Sequence, residues 1–457
     1  MARARVATQS GEQKIEPKKF SERWNDDKAM RSFKKLSERV LQLFTRDEVE
    51  ELASACGFYE RKPREIRAFE FALCCALGAM VEGRRGFAGV WRLLAAAAGV
   101  EVARSAVIQR FGKGSADLLK LLFVRASRRL ETPEHPELID RLEQFERVLA
   151  HDGSVIALMP VLKKLFPATR TNTMNAAAKI HASVDLVHRR LDKVVLTGER
   201  ANELRVARKM GFEANTLYID DLGYSSYDYF YEIAKAEADF LQRLKSNANP
   251  TVVRVLHGVR APKRSEGMKL QDLQFTDCHD TFDLIAEFPT SYGPFQARVV
   301  GQWNRETEKY HCYVTTLRDG EKKLSVEDLA TLYSLRWVIE LMFKLLKSSC
   351  HLDHVETGDP NSMRTHIYAS LLGSVILSAV TVAAAQVAGV HPSRLSFLVV
   401  GIAAPLIVMP LLFLWLERNL TREELAAMIL RTLAIGCVDQ NPARTQRKWG
   451  PLGSPQE

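Results

Sequence analysis

Residues 333–347 read YSLRWVIELMFKLLK, and the reading of the whole chain turns on them. On an α-helix turning about 100° per residue, Tyr333, Arg336, Glu340 and Lys347 fall within roughly 60° of one another. They form one polar stripe. Leu332, Leu335, Ile339, Met342, Phe343 and Leu346 fill the opposite face, and Val338, Leu341 and Leu345 widen it, so the pattern predicts a helix with little surface left for water. A carboxylate flanked by Arg, Lys and a phenol on such a helix suits a metal ion held beside a phosphate backbone. The same residues also suit an ordinary exposed strip in which Arg336 and Glu340 form an i,i+4 ion pair, and periodicity does not choose between the two.

The spacing adds a second kind of information. Tyr, two residues, Arg, three residues, Glu, six residues, Lys, with RW and IE in their usual places, resembles the YREK signature of a large group of bacterial insertion-sequence transposases in the DDE superfamily. The resemblance implies a ribonuclease H-like domain in which Glu340 is the third metal-binding carboxylate, while Tyr333, Arg336 and Lys347 contact the phosphates of the transposon end. It also implies Mg²⁺ or Mn²⁺ at a two-metal site, because phosphoryl transfer of this kind needs carboxylates converging on cations about 3.5–4 Å apart.

Two more carboxylates are then required. Asp152 ends the apolar run VLAHDGS, where a buried strand would present it at a cleft; Asp-Gly between two apolar runs is equally the usual hairpin turn. Asp221 opens DLGYSS after TLYID, with Asp220 as its competitor, and both could instead form a solvated turn with Ser225 or Ser226 as the following N-cap. The residues alone leave these choices open. Family members resemble both segments, which assigns the first catalytic Asp to Asp152 and the second to Asp221. FLQRLKSN carries a further family resemblance at Arg243 to Asn247. Related enzymes that cut through a hairpin intermediate hold a flipped base with an aromatic residue, which makes Trp303 in GQWNR a DNA-contact candidate; otherwise it packs its own sheet. Trp337 reads as a packing residue.

A chain of 457 residues calls for two or three domains, and 46% hydrophobic content supports folded ones. The net charge of +9 and pI near 9.1 permit nucleic-acid binding without requiring it. Seven scattered cysteines without a CxxC pair fit reduced thiols, and Cys350-His351-x-x-His354 lacks a second cluster to complete a zinc site. Ile367–Val390 and Leu395–Leu416 are uncharged and long enough to span a bilayer, yet Pro405 and Pro410 interrupt the second and Ala, Ser and Thr crowd the first, so both are expected as buried helices.

The expected organisation is multidomain α+β: a basic arm over 1–26, a helical DNA-binding domain over 27–135, a ribonuclease H-like α/β catalytic domain over 147–357 with a β-rich insertion at about 248–311, and a helical C-terminal region over 358–457. Thr45 with Glu48, and Ser325 with Asp328, read as capping boxes, the latter opening one long helix that carries Glu340. GVWRLLAAAAGVEVARSAVIQRFGKG reads as helix, Gly turn and helix, with Arg104, Ser105, Gln109, Arg110 and Lys113 on or near the second helix. The expected function is a cytoplasmic, nucleoid-associated transposase, homodimeric on double-stranded DNA, that binds terminal inverted repeats, hydrolyses strands at the ends and joins the 3′-hydroxyls to target DNA. A catalytically inactive, domesticated DNA-binding relative is the rival reading. Tyrosine-nucleophile recombination is not supported, since the cluster Tyr224, Tyr227, Tyr229 and Tyr231 lacks a His-x-x-Arg companion.

Overall fold

The computed structural model describes residues 41–416 apart from 60–64, 82–85, 132–141, 143, 170–174, 276–280, 318–323, 389–394 and 396. The arm expected over 1–26, the linker around Pro133–Pro136 and the stretch from 417 onward lie outside the described residues. Nine strands, β1 (Arg147–Leu158), β2 (Ala176–Asp185), β3 (Arg190–Gly198), β4 (Thr216–Tyr218), β5 (Asp239–Arg243), β6 (Thr251–His257), β7 (Thr281–Thr290), β8 (Gly293–Asn304) and β9 (Lys309–Thr315), form one mixed sheet in the order β3-β2-β1-β4-β5-β9-β8-β7-β6. β1 to β3 are an antiparallel meander, while β4 and β5 run parallel to β1. Such parallel steps need crossovers, and α6 (Glu203–Met210) and α7 (Tyr227–Lys235) lie in the connections that enter and leave β4. Residues 248–311, read from sequence as an insertion, supply β6, β7 and β8, which extend this same sheet through β9.

Strand alternation divides the apolar side chains between two cores. Val148 and Ala150 of β1, Leu217 and Ile219 at β4 and Leu241 of β5 enter the first; Leu149, Tyr218 and Phe240 enter the second. The first core is roofed by α1 (Arg46–Ala55), α2 (Ala68–Gly78), α3 (Phe87–Leu93), α4 (Arg104–Arg110), α5 (Lys113–Arg129), and four later helices, α8 (Val326–Ser334), α9 (Trp337–Ser348), α10 (Pro360–Ala388) and α11 (Phe397–Trp415). The second is the aromatic packing of Tyr224, Tyr229 and Phe230 from around α7 against Tyr218 and Phe240. N- and C-terminal helices interlock, for Ser115 and Thr365 hydroxyls lie 3.0 Å apart and Ser362 Oγ donates to Phe111 C=O at 3.0 Å.

The N-cap half of each capping box forms, with Thr45 accepting from Glu48 N–H and Ser325 from Asp328 N–H, while the Glu48 carboxylate pairs with Arg125 and Arg129. The one long helix after Ser325 does not form. Leu335, Arg336, Val338 and Ile339 N–H groups each bond three residues back, and this tightened joint separates α8 from α9. It turns α9 relative to α8, so Trp337 is 59% exposed and Leu341 52% exposed where packing was expected. α10 is long and apolar enough to cross a bilayer by length and composition, and 94% of that span is buried within the protein. α11 is buried along one face only, through Ala404, Val408, Leu411, Leu412 and Trp415, with Ile402 and Leu406 exposed opposite. The helix–Gly–helix join is α3, a π-turn, Gly99 at φ 67° and α4. Arg104, Ser105, Gln109 and Lys113 face solvent, whereas Arg110 turns inward to donate to Phe58 C=O at 3.2 Å.

One buried ion pair fixes where α8 begins. Arg298, 1% exposed in β8, donates Nε and Nη2 to the two oxygens of Asp283 at 2.9 and 2.7 Å, and Nη1 to the carbonyls of Leu317 and Leu324 at 3.0 and 2.7 Å. Arg298→Leu strands a buried carboxylate and two carbonyls, and is expected to lower unfolding free energy by about 3–5 kcal/mol in urea titrations. A variant within about 1 kcal/mol of wild type contradicts the anchoring role.

A carboxylate notch beside the open edge of strand β1

β4 last pairs with β1 at Leu149↔Tyr218, extended by Ile219 N–H to Leu149 C=O at 2.8 Å, while β1 goes on pairing with β2 as far as Leu158. Backbone groups on the edge so exposed must find other partners. Side chains supply them. His151 N–H donates to Asp220 Oδ1 at 2.7 Å, Gly153 N–H to Asp152 Oδ1 at 2.7 Å, and Val155 C=O accepts from Lys347 Nζ at 3.1 Å. The result is a notch at the end of β4, lined by residues from β1, the turn after β4, α6 and α9.

Asp220 and Asp221 part company here. Asp220 follows Tyr218 into the second core, where it is fully buried and its Oδ2 accepts from Tyr229 OH at 2.9 Å and Gln242 Nε2 at 3.3 Å. Asp221 instead caps the turn Leu222–Tyr224, its Oδ1 accepting from Gly223 N–H at 2.8 Å. The solvated-turn reading of the pair therefore fails for Asp220. Asp152 occupies β1 itself, opposite Ala182 of β2, and not a hairpin turn.

Burial pushes the Asp152 carboxyl up to about 6; its bond from Gly153 opposes this, Asp221 and Glu203 add to it, and Arg336 pulls it down. Asp221 is raised too, by burial first, against the Gly223 bond and Arg336, and with Asp220 and Glu203 reinforcing. Two partly buried carboxyls whose ionisation is opposed by burial and by neighbouring carboxylates are what a bound dication relieves.

The polar stripe reaches this notch in a modified form. Arg336 Nη1 donates to Glu340 Oε1 at 2.5 Å, so the i,i+4 pair exists, yet the same guanidinium acts on both Asp152 and Asp221. Arg336 Nε is buried without a partner. Tyr333 packs on Tyr313 with ring centroids 5.1 Å apart, and burial raises its hydroxyl to about 12. Lys347 is tied to β1. Trp303, 36% exposed, stands edge-on to Tyr310 at 5.0 Å, across the far end of β8. Three strand spacings and three residues beyond the level of Asp221, it lies roughly 15–20 Å from the notch.

Among the described residues, no three carboxylate, imidazole or thiol groups stand close enough together to hold a metal ion. Asp152 and Asp221 fit one as partly buried carboxyls whose ionisation is opposed, but Glu340 is engaged by Arg336. Sequence reasoning passed over a further carboxylate, Glu203, in the first turn of α6. A Glu there reads as a partner of the helix dipole. The available signal was indirect: a glycine follows directly on Asp152, where a Cβ would meet the Glu203 carboxylate at 3.0 Å.

A family model described as "Transposase DDE domain" matches residues 143–376. The chain is similar to a putative transposase of Sinorhizobium fredii, 28% identical over 182 residues, 40% of this chain and 47% of that one. It is similar along more of its length to the transposase for insertion sequence element IS231B of Bacillus thuringiensis subsp. berliner, 22% identical over 381 residues, 75% of this chain and 78% of that one. The transposase for insertion sequence element IS1151 of Clostridium perfringens is 20% identical over 322 residues, 61% and 66% of the two chains. Since the matched segment takes in more than half of the chain, with all nine strands and the helices bearing Tyr333, Arg336, Glu340 and Lys347, the chain belongs to the DDE transposases of insertion sequences.

Proposed function

We propose that this transposase binds the terminal inverted repeats of its element, cleaves DNA strands at the ends by divalent-cation-dependent hydrolysis, and joins the 3′-hydroxyls to target DNA as a homodimer. The observation that carries the reading is the meeting of Asp152 and Asp221 at the open edge of β1 with the half-used guanidinium of Arg336 beside them. Bound Mg²⁺ or Mn²⁺ would activate the attacking oxygen and stabilise the leaving one. Asp152 and Asp221 would hold the ions, and Glu340 would complete the set on release from Arg336. Arg336 then turns its unpartnered Nε and freed Nη1 to a phosphate, for which a guanidinium fork is suited. Tyr333 and Lys347 flank that phosphate, and Trp303 meets DNA farther along the sheet.

The meander β1–β3, followed by parallel β4 and β5 with intervening helices, supports a ribonuclease H-like core over 147–357 with an insertion at about 248–311. The exposed polar residues of α4 support DNA contact by the helical domain over 27–135, and α10 and α11 support a helical region that begins at 358. The acidic groups and their cations favour this reading over an inactive relative, because a binding protein has no use for two carboxyls kept from ionising freely.

Asp152→Asn, Asp221→Asn and Glu340→Gln are each expected to abolish strand cleavage of a labelled terminal repeat while leaving its binding largely intact. Near-wild-type cleavage by any one of them removes that residue from the site. Arg336→Ala is expected to lower the slope of log K against log salt by about 0.9 on cleaved duplex ends, the loss of one phosphate contact. An unchanged slope returns Arg336 to an ion-pair role alone.

Metal-free stability should report the same electrostatics. The folded Asp152 carboxyl sits above its unfolded value, so its contribution is full below about pH 4 and is lost as pH rises through about 6, a loss on the order of 2 kcal/mol. In thermal melts with EDTA, Asp152→Asn is therefore expected to melt above wild type at pH 7 and to lose that advantage at pH 4. Equal differences at both pH values contradict a hindered carboxyl.

A further inference from the structure

α6 packs across β1, β2 and the turn that follows Asp221, and its first-turn Glu203 reaches the residues next to both aspartates. A Cβ built on Gly153 would stand 3.0 Å from Glu203 Oε1, and one built on Gly223 would stand 3.7 Å from Oε2. Gly153 thus leaves room that the Glu203 carboxylate takes, whereas at Gly223 the carboxylate is in ordinary contact and the nearer atom is Asp221 Oδ1 at 3.0 Å, so Glu203 lies between the Asp152-Gly153 step and the Asp221-Leu222-Gly223 turn. Both aspartates feel its charge.

The same face also carries a histidine and a lysine. His181 lies directly across from Gly153 in the β1–β2 ladder, and Lys179 across from Val155, so their side chains share the face that α6 covers. His181 is 2% exposed; its Nε2 lies 2.9 Å from Thr197 Oγ1, while its Nδ1 has no partner. Burial, then Lys179, hold its pKa down to about 4 against the pull of Glu203, so the ring is neutral. Lys179 Nζ meets Glu203 Oε1 at 3.1 Å. An internal cation thus sits on this carboxylate, just as Arg336 sits on Glu340.

We infer that Glu203 is a fourth carboxylate of the cation site, which binds a divalent cation together with Asp152 and Asp221 by exchanging Lys179 for it. This rests on the reading of Asp152 and Asp221 as cation ligands. A purely structural alternative makes Glu203–Lys179 an ion pair that fastens α6 to β2, and the two differ in the sign of one effect. If Lys179 competes with the cation, removing it strengthens cation binding; if it only fastens the helix, removing it leaves binding unchanged or weaker.

The test is Mn²⁺ titration of the full chain without DNA, followed by electron paramagnetic resonance, with wild type, Asp152→Asn, Glu203→Gln, Glu203→Asp and Lys179→Met. Glu203→Gln is expected to weaken Mn²⁺ binding by about 10–100-fold, Glu203→Asp to recover part of it, and Lys179→Met to tighten it. Wild-type affinity in Glu203→Gln with lost affinity in Asp152→Asn overturns the inference and leaves the proposed site standing. Wild-type affinity in Asp152→Asn overturns both. Should Glu203→Gln fail to fold, Lys179→Met decides: tighter binding supports the exchange, and unchanged or weaker binding overturns it.

Discussion

A carboxylate with no access to solvent has to be met by donors on every side, and Asp220 is met by His151 N–H, Tyr229 OH and Gln242 Nε2. Each such bond to a charged group contributes about 1.5–3 kcal/mol, and losing one leaves the charge short of a partner. The placement of Asp220 has a topological effect as well. By taking the N–H of His151, it ends the parallel ladder between β4 and β1 one step after Ile219, and the chain turns away at Asp221. The open edge of β1, the turn that orients Asp221 and the lodging point of Lys347 all follow from that one substitution of a side chain for a strand.

Around the notch the charges are arranged in two kinds. Among the described residues no cationic side chain is bonded to Asp152 or Asp221, whose ionisation burial opposes, whereas Glu203 and Glu340 each hold one, Lys179 and Arg336. The first kind carries an electrostatic deficit that an incoming dication removes; the second can join only by giving up its partner. On the function proposed above, a site built this way stays closed to a full ligand set until both metal and phosphate arrive, since Arg336 would leave Glu340 most easily when another anion accepts it. The buried, unpartnered Nε of Arg336 is the group with most to gain from that exchange.

Much of this was legible in the sequence wherever a residue's local role matched its global one. Thr45 and Ser325 cap the helices they precede, the alternating runs from Arg147 to Leu196 became β1 to β3, and Tyr333, Arg336, Glu340 and Lys347 lie on one helix pair. The break at Leu335–Arg336 was not legible, because neither Pro nor Gly marks it and it is made by four backbone bonds that tighten by one residue. That break moved Trp337 to the surface. Asp220 could not be told from Asp221 because the two differ only in which face of a short strand they follow. Glu203 carries no spacing to any motif; the side-chain-free position at Gly153 betrays it, and does so in three dimensions.

The most direct measurement is anomalous diffraction from crystals of the full chain on a pre-cleaved terminal-repeat duplex soaked with Mn²⁺. Manganese peaks in contact with Asp152 and Asp221, with Glu340 turned toward them and Arg336 moved onto a DNA phosphate, are the result expected. Peaks confined to other residues, or an Arg336–Glu340 pair unchanged in the presence of both metal and DNA, would contradict the account of the notch as the place where cations and DNA meet.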